Sequence, residues 1–250
     1  MTNKQMILEA KNIITGYKDK KVTKGFSFSI NSNSITVIIG PNGSGKTTLL
    51  KTISGIIKPV SGNIFYLFNN DILDSDKMNS VTLAKVRAVV LSKPPETGNL
   101  TVFEIISLGR FPYTGWRGKF LQQDYVETEK ALAEIGIGDL SNRIFRTLSD
   151  GEKQKVMIAR ALAQNTPLIF FDEPAAFLDL PSKIELSKLI ANLSKNKTVI
   201  ITTHDIDFAL NYCNELWIID TDGNIHTGTP EQLSNIIEDI LKVKLGEIRV

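Results

Sequence analysis

The segment Gly40-Pro-Asn-Gly-Ser-Gly-Lys46-Thr47 is where residue types and spacing point most directly to chemistry. It fits the pattern G-x-x-x-x-G-K-[ST], in which a glycine-rich turn curls so that successive backbone N–H groups face phosphate oxygens. Gly40, Gly43 and Gly45 allow the tight curl, with Pro41, Asn42 and Ser44 between them. Lys46 places a full positive charge between the outer phosphates, and the Thr47 hydroxyl is a ligand for Mg²⁺. Thr48 continues into the helix whose N-terminus adds its own partial positive charge. Together these residues predict a bound nucleotide and its magnesium ion.

A second site-like segment is Leu168-Ile-Phe-Phe-Asp172-Glu173, an apolar run ending in two adjacent carboxylates. In P-loop NTPases a strand-end aspartate holds Mg²⁺, which makes Asp172 a metal-ligand candidate. Glu173, one position further on, could orient or deprotonate an attacking water, which points to hydrolysis rather than transfer to a held substrate. A third segment, Leu148-Ser149-Asp150-Gly151-Glu152, opens a long helical run. Read locally, Ser149-x-x-Glu152 is a capping box. A serine and a glycine at a helix start also make a second anion cradle.

The elements that must hold these groups can be read from hydropathy patterns. Ile35–Ile39 is a continuous apolar, β-branched run, the mark of a strand buried on both faces. Residues 167–172 and 198–202 repeat it, and Ile7-Leu8 and Phe26–Phe28 read as shorter strands. Helices are predicted from Thr47 to a stop at Gly55, and over residues 152–164, 182–194 and 206–213. Strands alternating with helices predict an α/β fold with a mainly parallel sheet covered on both faces. The stretch from about Pro94 to Ala163 lacks such strands and reads as a helical insertion, so the core is expected over about 1–93 and 164–250 as one domain. His226 falls in a turn-rich segment and receives no role.

With these motifs in this order, the chain resembles the ATP-binding cassette family, the nucleotide-binding subunits of ABC transporters, over about Met6 to Gln232. The resemblance implies a RecA-like P-loop core, an N-terminal antiparallel β subdomain and an inserted helical subdomain. It also implies ATP with Mg²⁺, and a head-to-tail dimer in which Ser149 and Gly151 of one copy close on the γ-phosphate held by the other. Tyr17 matches the family's adenine-stacking aromatic, Asp179 the loop that communicates between the two sites, and His204 the switch histidine on the γ-phosphate. Glu173, His204 and Lys46 are the catalytic expectation, with Thr47 and Asp172 on the metal. Leu108-Gly-Arg-Phe-Pro-Tyr113, followed by Trp116, looks like a segment of importers for iron chelates, haem and cobalamin. A Phe/Tyr/Trp cluster with Arg110 and Arg117 is then expected as an exposed docking anchor for a membrane permease. An external substrate-binding protein would complete the system, and the subunit would sit peripherally on the cytoplasmic face of the membrane.

Two departures stand out. Lys93 occupies the position where the family places a metal-touching glutamine, and lysine offers no oxygen to a metal. Asp150 and Glu152 stand where glycine and glutamine are usual, which brings negative charge toward an incoming phosphate.

Composition narrows the alternatives. With 29 basic against 27 acidic residues in 250, the formal charge of +2 is too small and dispersed to predict nucleic-acid binding. A single cysteine, Cys213, excludes an internal disulfide framework. The polar start lacks the apolar core of a secretion signal, and no apolar run approaches the length of a spanning helix. A cassette ATPase acting on nucleic acid or ribosomes is the alternative, and a P-loop kinase or nucleotide switch is disfavoured because neither needs Glu173 or the Ser149 segment.

Overall fold

The computed structural model describes residues 5–17, 20–116, 118–176 and 178–241. Arg117 therefore lies outside the described residues, as does the last part of the tail. In chain order, β1 (Met6–Ile14) leads to a small hairpin of β2 (Gly16–Tyr17) and β3 (Lys20–Lys21), then β4 (Phe26–Asn31) and β5 (Ile35–Ile39). After α1 (Lys46–Ile53) come β6 (Ser61–Phe68), β7 (Asp71–Asp74), α2 (Ser80–Val86) and β8 (Arg87–Val90). α3 (Val102–Ser107), α4 (Gln122–Ile135) and α5 (Asp150–Ala163) follow, accompanied by short 3₁₀ turns and one isolated bridge between Thr101 and Ile144. The chain then runs through β9 (Leu168–Asp172), α6 (Leu180–Leu193) and β10 (Thr198–Thr202). It continues with α7 (Ile206–Tyr212), β11 (Glu215–Ile219), β12 (Ile225–Gly228) and α8 (Ser234–Leu241).

Besides the β2–β3 hairpin there are two sheets, and the apolar interior falls into two packed layers. The antiparallel sheet has the order β4-β1-β6-β7. The larger sheet has the order β12-β11-β5-β10-β9-β8, parallel throughout except for the edge strand β12. Every residue of β5, β9 and β10 is buried. Their alternating side chains separate two layers, as the twofold period of a strand requires. Val37, Phe171 and Ile201 pack with Ile158 of α5 and Ile190 of α6. Ile38, Phe170 and Ile200 turn to the other side, against Leu49 and Ile53 of α1 and Leu8, Ile30 and Tyr66 of the antiparallel sheet.

Two sequence expectations are corrected. His226 lies on β12 opposite Ile218, with Nε2 3.3 Å from Asp220 Oδ2, rather than in a turn. The turn signals are real but belong to Asp220–Asn224, where Asp220 Oδ1 accepts from the N–H groups of Asp222 and Asn224 before the strand resumes.

Arg110 is the second correction, since it is 6% exposed and no surface anchor. Its Nε donates to Asp124 Oδ1 at 3.0 Å and its Nη1 to Ala163 O at 2.8 Å, while its guanidinium stacks 4.0 Å from the Tyr113 ring centre. Tyr113 in turn donates its hydroxyl to Gln164 O at 3.0 Å. A buried cation needs acceptors, and the C-terminal carbonyls of α5 with the Asp124 carboxylate supply them. Phe111 and Trp116 remain exposed.

Candidate active site

The phosphate-type loop joins the end of β5 to α1, so its position follows from a fully buried strand of the sheet. Gly45 is the N-cap of α1 at φ 104°, a conformation that side chains resist, and a Cβ there would run into Val22 Cγ1. The same contact places the segment after the β2–β3 hairpin against the loop. That hairpin carries Tyr17, half exposed, and is tied down where Thr15 N–H donates to Thr23 Oγ1 at 3.0 Å. Lys46 is buried, and its Nζ donates to Gly40 O at 3.0 Å and Pro41 O at 3.2 Å. Burial pulls its pKa below the usual lysine range, while the negative charges of Glu173 and Asp172 work in the opposite direction.

The two carboxylates arrive at the same edge from β9, which pairs with β10, which pairs with β5. This is the carboxyl end of a parallel sheet, where ligands bind in such folds. Asp172 is 1% exposed, and its Oδ1 accepts from Thr47 Oγ1 at 2.8 Å and from Thr202 Oγ1 at 2.7 Å. Glu173 has φ 51°, a left-handed conformation that costs a non-glycine residue about 1–2 kcal/mol. Its N–H is held by both the carbonyl of Thr202 at 3.0 Å and Thr202 Oγ1 at 3.1 Å. Burial pushes the Glu173 carboxyl above the usual range, opposed by the charges of His204 and Lys46 and aided by that of Asp172. His204 Nε2 meets Glu173 Oε2 directly. Ala176, Lys183 and Thr203 join these two residues around a cleft of about 230 Å³.

Ser149, Gly151 and Asp179 form a second group. Ser149 caps α5, accepting from the N–H of Glu152 at 3.3 Å while Glu152 Oε2 accepts from the N–H of Ser149 at 2.8 Å. Arg143 Nη1 donates to the other oxygen of Glu152 at 3.2 Å, so this acid is folded back from the helix end. Asp150 is exposed and pairs only loosely with Lys153, at 3.4 Å. A Cβ on Gly151 would touch Leu178, next to Asp179, which caps α6 by accepting from the N–H of Ser182 at 3.0 Å. Among the described residues, no hydrogen bond or ion pair joins this group to the first.

Thr202 escaped the sequence reading. It counted there as one more residue of an apolar strand, and only its parallel register with Asp172 reveals it as part of the site. A hydroxyl ending an otherwise apolar run was the available signal.

Comparison with known proteins agrees with this geometry. The sequence pattern described as "ABC transporter" matches residues 23–176. An uncharacterized ABC transporter ATP-binding protein of Methanocaldococcus jannaschii is 38% identical over 97% of this chain and 84% of its own length. The iron(3+)-hydroxamate import ATP-binding protein FhuC of Bacillus subtilis is 35% identical over 94% of this chain and 86% of its own. Among solved structures, a metal-chelate type ABC transporter in an inward-facing conformation superposes with a TM-score of 0.82. It is 25% identical over 96% of this chain and 90% of that one. With a glycine-rich loop, a strand-end acid pair and a capped helix start on this α/β frame, and with relatives matched over nearly the whole chain, the protein belongs to the ABC transporter family.

Proposed function

We propose that the chain is the ATP-hydrolysing subunit that energises a membrane importer for an iron-siderophore, haem or cobalamin cargo. The observation that carries the reading is the meeting of Lys46, Thr47, Asp172, Glu173 and His204 at the carboxyl ends of β5, β9 and β10. The cargo class rests on the named functions of relatives such as the hydroxamate import protein.

The donor set suits Mg²⁺. One buried carboxylate and one hydroxyl, both hard oxygen donors, stand side by side, and no cluster of three or more His, Cys, Asp or Glu capable of holding a metal occurs among the described residues. Mg²⁺ takes few protein ligands and fills its octahedron with phosphate oxygens and water. Thr47 and Asp172 would hold it, and when bound it neutralises charge on the transferred phosphoryl group.

In this reading Lys46 and the backbone of residues 40–48 grip the phosphates, and Tyr17 offers its exposed ring to the base, a contact worth about 1–3 kcal/mol. Glu173 takes the proton of the attacking water, favoured by a carboxyl of raised basicity, and His204 steadies the γ-phosphate. A second copy, packed head to tail, brings Ser149 and Gly151 to the nucleotide, and Asp179 relates the two sites. The permease would meet the surface from Lys93 to Trp116, where Pro95, Glu96, Arg146 and Lys153 border a groove of about 430 Å³. The chain would then work on the cytoplasmic face of a membrane. No helix among the described residues is long and apolar enough to cross one.

Glu173→Gln tests the reading. The variant is expected to bind ATP, to lose hydrolysis by at least about a hundredfold, and to accumulate as an ATP-bound dimer in sedimentation. Hydrolysis at the normal rate would remove Glu173 from the mechanism. Co-purification with a multi-span membrane protein tests the importer, and pelleting with ribosomes or DNA instead would reverse it.

A further inference from the structure

We infer that Thr202 is a positioning residue of this ATPase, whose one hydroxyl aims the Asp172 carboxylate and pins the left-handed backbone of Glu173. The inference rests on the reading of Asp172 as metal ligand and Glu173 as water-activating base. Thr202 is fully buried, with Oγ1 2.7 Å from Asp172 Oδ1 and 3.1 Å from the Glu173 nitrogen. A hydroxyl has one proton to donate and lone pairs to accept with. The Glu173 amide can only donate, so the Thr202 proton goes to Asp172. The direction of both hydrogen bonds is thereby determined.

The consequences reach both carboxylates. Thr47 Oγ1 also donates to Asp172 Oδ1, so both lone pairs of that oxygen are engaged and Oδ2 is the oxygen that would be left for a cation or its water shell. On the other side, the same Thr202 oxygen helps hold a backbone that would otherwise relax from φ 51° and carry the Glu173 side chain with it. Parallel register with no slip sets Thr202 directly opposite Asp172, so the link is built into strand pairing rather than into a loop. Valine matches threonine in shape. It would keep the packing, strip one donor from a buried carboxylate and leave the Glu173 N–H only the carbonyl of residue 202.

The test compares T202V, T202S and E173Q with the wild-type chain. Mn²⁺ binding to the ADP-loaded protein is read by electron paramagnetic resonance, which needs no turnover. ADP affinity without metal and ATP hydrolysis are measured beside it. For T202V, Mn²⁺ affinity and kcat should each fall by about tenfold or more, with metal-free ADP affinity within about twofold of wild type. T202S should restore both to within about threefold. Wild-type Mn²⁺ affinity and rate in T202V would overturn the inference. T202S as impaired as T202V would also overturn it, because packing and not the hydroxyl would then be responsible. Should T202V fail to fold, T202C keeps the size, lacks the strong donor and carries the same comparison. E173Q separates the two levels: if it hydrolyses ATP normally the parent reading fails, and if it is inactive while T202V is normal only Thr202 is dismissed.

Discussion

Arg110→Met separates an internal clamp from a docking anchor. In the wild-type chain the Arg110–Asp124 pair is nearly sealed from solvent, with side chains 7% and 5% exposed at 3.0 Å. Methionine keeps much of the volume but leaves the Asp124 carboxylate buried, with the Leu121 N–H donating to its other oxygen at 2.9 Å. It also deprives Ala163 O of its donor and the Tyr113 ring of its cation. Breaking one side of a buried pair costs about 3–5 kcal/mol, because the surviving charge stays desolvated. A chain of this length loses about 2–4 °C of melting temperature per kcal/mol, so Tm should fall by roughly 10 °C. Asp124→Asn removes the charge yet keeps an oxygen for Leu121. The double variant R110M/D124N should therefore be less damaged than the summed singles, with a coupling of at least about 2 kcal/mol in urea unfolding. ATP hydrolysis per folded molecule should stay close to normal in all three. An R110M protein that melts within about 2 °C of wild type while losing its membrane partner would refute the clamp and restore the surface role first expected from sequence.

Three further outcomes follow from the same geometry. Gly45→Ala should abolish nucleotide binding in a fluorescent-nucleotide titration, since a Cβ at φ 104° meets Val22 Cγ1 in the loop itself. Asp150→Gly should raise the ATP-driven dimer fraction, most at low salt, whereas Glu152→Gln should change it by less than about twofold. The Asp150 carboxylate is exposed at the cradle, while Glu152 is bound back to Ser149 and Arg143. Glu104 and Glu152 are both held below the usual carboxylate range, chiefly by the backbone N–H groups of Thr101 and Ser149. Their helix-start stabilisation is present at neutral pH and lost as pH falls through the lowered values. An E104Q/E152Q variant should therefore show a flatter acid side in a stability-against-pH curve.

The parts legible in sequence are those whose physics is local. The phosphate loop is readable because phosphate binding dictates glycines and a lysine within eight positions. The strands β5, β9 and β10 are readable because burial on both faces removes every polar residue except those near their ends. Glu152 as a capping residue was readable too, and the structure keeps it in that place. Arg110 was not. A guanidinium among aromatics reads as surface until Asp124, 14 residues on, and Ala163, 53 residues on, are brought to it. β11 was passed over because its apolar run starts directly after a helix, with only Cys213 and Asn214 between.

The site itself is a product of register. Thr202 and Asp172 are 30 residues apart, and Thr47 and Asp172 are 125 apart. What unites them is that β9 and β10 end level, Thr198 with Leu168 through Thr202 with Asp172, while β10 is in turn aligned on β5. That alignment is enforced by the apolar side chains, because slipping a strand by one residue would send its whole buried set to the opposite face. Phe170 and Ile200 would leave the layer of α1 for that of α5, and Asp172 would lose both hydroxyls with them. The hydrocarbon pattern of the sheet thus determines where the carboxylates stand. The strained turn at Glu173 is tolerable because that pattern holds Thr202 beneath it.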